Sequence, residues 1–175
     1  MPDIKNTRVL ATVSVLIAAN ILLSRFLSIS VWNFKIGFGF VPIALCAVIF
    51  GPLLAGLAGA AADFAGAMLF PVGPYFVGFT FSAALTGIIF GLFLYKKKAG
   101  PLRVAAAVIT NAVIVSLLIN TYWISAVYSA SFFALLPARL IQSAIMSPVQ
   151  FAVILLMKKR EDVFKVFRTK INGEE

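Results

Sequence analysis

Apolar runs long enough to cross a bilayer fill most of this chain, and a soluble domain of 175 residues has no interior large enough to bury them. Hydrophobic residues make up 62% of the sequence and charged residues only 12%, the balance of an integral membrane protein. A crossing helix takes roughly 20 residues, so about six spans nearly exhaust the length. Breaks at glycine, proline and clustered lysine place them at about 8–29, 36–50, 52–70, 77–95, 102–121 and 132–157. The expected fold is an all-α membrane bundle of six transmembrane helices, a single domain over 1–175 with a basic tail at 158–175.

Charge sets the expected orientation. Lys5, Arg8, Lys96, Lys97, Lys98, Arg103, Lys158, Lys159, Arg160, Lys165, Arg168 and Lys170 all fall on one side if both termini are cytoplasmic. Excess Lys and Arg belong inside, so that topology is preferred. Lys5 and Arg8 before an apolar run resemble a signal peptide, but the run is too long for one and reads as a retained first helix. The formal charge of +9 fits contact with anionic lipid rather than nucleic acid, because the cations cluster beside spans. In the tail, Val163, Phe164, Phe167 and Ile171 recur at helical spacing among basic residues, as expected of a segment lying along the interface or a partner.

Between the spans, Ser30–Phe40 (SVWNFKIGFGF) suits an ordered outer loop. Within the third span, Ala55 with Gly59, Ala58 with Ala62, and Ala62 with Gly66 are small pairs four apart, which allow helices to approach closely. Tyr122, Trp123 and Tyr128 fall in the connection after the fifth span, an aromatic cluster at a membrane interface.

Three cations remain on the outer side: Arg25, Lys35 and Arg139. An outward cation needs its own reason, and an anionic ligand is one. Asp63 is the sole acid between the two ends of the chain, and a charge within the membrane must face a partner or a cavity. Asp63 and Arg139 lie at similar depth, so they either form a structural salt bridge or line a ligand site, or do both. Arg25 can instead snorkel to headgroups, and Lys35 can be simply solvated. Trp32, Phe38, Tyr75, Phe76, Tyr122 and Trp123 are outer aromatics, either an interfacial belt or flat surfaces for a planar anion.

Other chemistries find no support. The sequence has no histidine and one cysteine, Cys46, which reads as a small core residue, so neither a metal site nor a cofactor is expected. No G-x-x-x-x-G-K-[ST] phosphate loop occurs, and no nucleophile stands with a base, so an enzyme is not expected.

Arg25-Phe-Leu-Ser-Ile29, Lys35-Ile-Gly-Phe-Gly-Phe-Val-Pro42, Phe50-Gly-Pro52, Asp63 and the block from Phe70 to Ala83 (FPVGPYFVGFTFSA) together resemble a folate-family substrate-binding component of energy-coupling factor (ECF) transporters. The resemblance extends over essentially the whole chain. It implies an S-component bundle in a bacterial plasma membrane that captures folate or a reduced folate from outside. A transmembrane coupling subunit and two ATPase subunits would supply the drive. In that family the first helix carries an Ala-x-x-x-Ala docking motif, and the nearest match here is Ser14-Val-Leu-Ile-Ala18. Folate also suits the charges: the pterin's N3–H and 2-amino donors suit Asp63, and the glutamate carboxylates suit Arg25, Lys35 or Arg139. Two alternatives stand beside it, an S-component for another vitamin and a membrane scaffold without a ligand. Gly37, Gly39, Pro71, Gly73 and Pro74 are compatible with outer loops that close and equally with a rigid lid.

Overall fold

The computed structural model describes residues 6–31, 34–71, 73–97 and 100–159, with only the backbone of residues 29–31, 34 and 35. The expectations for Trp32 and for the tail beyond residue 159 lie outside these residues. Six apolar helices are present among the described residues. They are α1 (Thr7–Arg25), α2 (Phe40–Phe50), α3 (Pro52–Leu69), α4 (Val77–Leu94), a continuous helix from Pro101 to Tyr128, and α7 (Phe132–Lys159). The fifth is α5 (Pro101–Thr110), a π-wound stretch (Asn111–Ile119) and α6 (Asn120–Tyr128) in series. By length and composition five of these can cross a membrane, and α2 is shorter.

At about 1.5 Å per residue the 11 residues of α2 reach about 16 Å, half a bilayer core. Its second half is buried on every side, from Cys46 to Phe50, which is the pattern of a central helix rather than a lipid-facing one. Val9 of α1, Leu54, Ala55 and Ala58 of α3, Phe90 and Leu94 of α4, Val104 and Val108 of α5 and Ile154 of α7 close around it.

The expected spans need two corrections at one end of the bundle. The first helix stops at Arg25 rather than near residue 29, and the second starts at Phe40 rather than near residue 36. Between them β1 (Ser28–Val31) pairs antiparallel with β2 (Phe34–Gly37), Ser28 opposite Gly37 and Ser30 opposite Lys35. Alternating β-branched residues favour this hairpin, and pairing satisfies backbone groups that a plain loop would leave open. Gly37 serves packing here, since a Cβ on it would lie 2.5 Å from Ser28 Cβ across the ladder. The third correction concerns Tyr122, Trp123 and Tyr128, which lie in helix α6 and not in a connection. That helix ends at Ser129, whose left-handed φ of 52° breaks it.

Small residues govern the α3–α4 contact. Ala55, Ala58, Gly59, Ala62 and Gly66 are buried, while Leu53, Leu57, Phe64 and Met68 on the other face are exposed. A Cβ on Gly59 would lie 2.5 Å from the Ala83 carbonyl oxygen, and Gly87 and Gly91 of α4 meet the backbones of Ala55 and Pro52 in the same way. This is small-residue packing as membrane helices use it.

At the opposite end from the hairpin the cations do structural work as well. Lys158 is 2% exposed and donates from Nζ to the Lys97 carbonyl at 2.9 Å, while Lys97 donates to the Leu92 carbonyl at 2.8 Å. Lys97 thus satisfies a carbonyl in the last turn of α4, where a helix leaves it unpaired and favours positive charge, and Lys158 ties α7 to the segment that follows α4.

Candidate functional site

Charge inside an apolar bundle collects in one place. A cavity of about 520 Å³ opens among α1, α3, α4, α7 and the fifth helix, and Asp63, Arg25 and Arg139 all line it. Tyr75 and Phe76 from the α3–α4 connection line it too, so five of the ten sequence-selected site residues meet there.

Asp63 accepts a hydrogen bond from Thr80 Oγ1 at 2.8 Å, and Thr80 in turn lies 3.1 Å from the Tyr75 hydroxyl. This chain ties the carboxylate to the rim. Asp63 carries two oxygens with about four lone pairs, so one bond from Thr80 leaves acceptor capacity facing the cavity. Among the described residues no ion pair joins Asp63 to Arg139. Arg139 is 7% exposed and donates from Nη1 to Gln142 Oε1 at 3.0 Å, a neighbour on its own helix. Its Nε is buried without a partner, and so is Nε of Arg25. Buried cationic donors left unpaired are costly, and doubly so at membrane depth. Arg25 approaches α3 at Gly66, where a Cβ would stand 3.2 Å from the guanidinium Nε.

The other candidates separate. Lys35 sits in β2 opposite Ser30, and its side chain, like Trp32, lies outside the described structure. Phe38 is 46% exposed and packs 6.4 Å from Phe40, and it is Phe40 that reaches the cavity. Tyr122 is 59% exposed on the outer face of α6 and does not line it either. Trp123 supports the wall from behind. Its ring lies 5.3 Å from Phe76, and Nε1 donates to Ser82 Oγ at 3.2 Å. Gly78 makes room for the indole, since a Cβ there would come within 2.7 Å of ring atoms.

Sequence reading missed a set of uncharged polar residues. Asn20, Thr86, Asn111, Asn120, Gln142 and Gln150 line the cavity, and the Oδ1 atoms of Asn111 and Asn120 are buried without partners. Asn20 also donates from Nδ2 to the Gly39 carbonyl, joining α1 to the start of α2. On α7 the signal was available: Arg139, Gln142, Ser143, Met146 and Gln150 all line the cavity and follow at offsets of 3, 4, 7 and 11, one helical face. Such a polar stripe in an apolar span marks the side that faces a cavity.

The arrangement offers one carboxylate acceptor, two arginine donors and several amides inside walls of aromatic and small residues. That suits a ligand with a hydrogen-bonding ring and negative charge. Ser14 and Ala18 do not line the cavity and are exposed, four residues apart on α1.

Residues 4–159 match the sequence model of the family described as ECF-type riboflavin transporter, S component. A folate transporter FolT of Clostridium novyi (strain NT) is 42% identical over 150 residues, covering 86% of this chain and 87% of that protein. A folate transporter FolT of Leuconostoc mesenteroides subsp. mesenteroides is 32% identical over 154 residues, covering 85% and 83%. Among solved structures, FolT bound with folic acid superposes with a TM-score of 0.84 at 36% identity, covering 88% of this chain and 94% of that one.

Proposed function

This chain belongs to the ECF-type riboflavin transporter S-component family, a multi-pass membrane protein, and from that membership we propose that it captures folate from outside the cell for import. The observation that carries this reading is the pair of arginines whose buried Nε atoms lack partners in a cavity that also holds Asp63. Folate presents two carboxylates at one end and a ring with adjacent N–H donors at the other. Riboflavin, named by the family, carries no anionic group and would leave both guanidinium groups unanswered. A scaffold without a ligand gives no reason for two arginine Nε atoms buried without partners.

In this reading Asp63 accepts from the N3–H and 2-amino groups of the pterin. Arg25 and Arg139, with Lys35 from the hairpin, hold the glutamate carboxylates. Tyr75 and Phe76 flank the ligand at the rim, and Trp123 keeps Phe76 in place. A cavity of about 520 Å³ lies within the usual range of small-molecule sites, about 300–1,000 Å³.

Calorimetric titration of the purified protein with folate, 5-formyltetrahydrofolate, riboflavin and thiamine tests the substrate. Binding of the folates well ahead of the other two is expected. Riboflavin binding without folate binding would overturn the reading, and silence toward all four would favour the scaffold. Gly66→Ala gives a second expected result: the new methyl displaces the Arg25 guanidinium by a few tenths of an ångström, so folate binds about fivefold more weakly. Melting of the ligand-free protein should stay unchanged, which a fluorescence-detected thermal ramp can check.

Both termini are placed in the cytoplasm of a bacterial cell, with the cavity opening outward, because the Arg8, Lys96, Lys97, Lys158 and Lys159 end then faces in. ATP hydrolysis belongs to separate ATPase subunits, reached through a transmembrane coupling subunit. The exposed Ser14 and Ala18 face of α1 is its docking surface, since small residues let another helix approach closely.

A further inference from the structure

Two unpartnered amides in the cavity come from one helix whose winding is unusual. Asn111 and Asn120 are nine residues apart. At 3.6 residues per turn, nine residues make about two and a half turns of α-helix, and the two side chains would point to opposite sides. Between them, however, Asn111–Ile119 is π-helical, and the Asn120 N–H reaches back five residues to the Val115 carbonyl. The Thr121 hydroxyl likewise donates to the Ser116 carbonyl at 3.2 Å. A turn widened by about one residue brings nine residues close to two full turns. Both amides therefore line the same cavity, each with a buried Oδ1 that has no hydrogen-bond partner.

Asn111 is only 5% exposed, so its unpartnered oxygen lies inside the protein and not at its surface. Nine residues of π winding also exceed the single turn in which this geometry mostly occurs, and such insertions concentrate at functional sites. An α-wound span would turn one of the amides away from the cavity, toward neighbouring helices or lipid. The winding thus has a local cost, and its effect is to aim two hydrogen-bonding groups at one volume.

We propose that the π-wound stretch is a specificity element, presenting Asn111 and Asn120 together to the hydrogen-bonding edge of the ligand's heterocycle. The inference rests on the folate reading above and extends it to a helix that carries none of the charged candidates. Asp63 and the arginines recognise charge and one donor pair. The amides, each with an acceptor and a donor group, recognise the ring's remaining polar atoms and discriminate among heterocycles of similar size.

The test uses the full chain purified in detergent, with Asn111→Ala and Asn120→Ala titrated against folate, against pteroate, which is folate without its glutamate, and against riboflavin. Each variant is expected to bind folate and pteroate about tenfold more weakly than the unsubstituted protein does. The melting temperature of the ligand-free protein should not fall, because each substitution removes a buried oxygen that lacks a partner. A purely structural amide would give the reverse, a lower melting temperature with folate affinity preserved in whatever protein remains folded. Unchanged folate affinity in both variants, or a loss with folate that is absent with pteroate, overturns the proposal. Should Asn111→Ala not purify, Asn111→Ser is read by the same criteria. If the unsubstituted protein binds riboflavin and not folate, the substrate reading fails by itself. The amide pair is then judged on riboflavin, where no loss in either variant overturns it.

Discussion

Asp63→Asn is expected to weaken folate binding about 100-fold while leaving the ligand-free protein as stable as before. Asparagine is nearly isosteric with aspartate and still offers one oxygen to Thr80 Oγ1, so the link from α3 to α4 and on to Tyr75 survives. In the proposed binding mode what changes is the second position, where an acceptor becomes an NH₂ donor facing the pterin's own donors. One charge-assisted hydrogen bond is lost and a donor–donor contact replaces it, together worth about 3 kcal/mol. Calorimetry and a thermal ramp on the same preparation separate the two effects. Unchanged affinity would leave Asp63 as a purely structural acceptor for Thr80. Intrinsic fluorescence offers a further readout, since Trp123 stands directly behind the cavity wall at Phe76.

Gly87→Ala is expected to produce a large loss of stability. Its Cβ would overlap the carbonyl carbon and oxygen of Ala55 and the nitrogen of Gly56, all backbone atoms that cannot rotate away. The helices α3 and α4 must then separate, and overpacking of this kind costs about 1–3 kcal/mol or more. Separation also moves Asp63 away from Thr80, because those residues sit on the same two helices. The variant should therefore melt at a lower temperature and bind folate more weakly. Gly100→Ala is the matched control: a Cβ there meets nothing within 4 Å, and its φ of −78° is ordinary for alanine. Its stability should stay within about 0.5 kcal/mol of the unsubstituted protein. Equal behaviour of the two variants would mean that the close approach of α3 and α4 does not govern stability.

These two residues also show how far the sequence could be read. Asp63 was visible because an acid in an apolar span is rare enough to demand a reason, and Arg139 and Arg25 were visible on the same grounds. The small residues of α3 were visible through their spacing of four. Trp123 stands out in the sequence as an aromatic residue expected in a connection, but nothing in its neighbourhood signals that the fifth helix continues through it to Tyr128. Tyr122, its neighbour, shares the aromatic character and faces outward, a difference of about 100° around one helix that composition does not reveal. The hairpin at Ser28–Gly37 falls where the sequence suggests the end of the first span and an ordered loop from Ser30 to Phe40, because four-residue strands are too short to show a period.

Asn111 and Asn120 mark the boundary most sharply. Their spacing of nine argues against a shared face for anyone counting in α-helical turns, and only the π winding between them reverses that conclusion. The sequence by itself determined that the chain is built of apolar spans, and that Asp63 and the arginines must face something other than lipid. It did so because the cost of burying a charge or an unpaired backbone group in hydrocarbon is fixed residue by residue. The tertiary structure alone decided which polar groups share one cavity. That outcome depends on helix winding, on glycines that let backbones meet, and on the end points of helices, all of which are set by packing between segments distant in the chain.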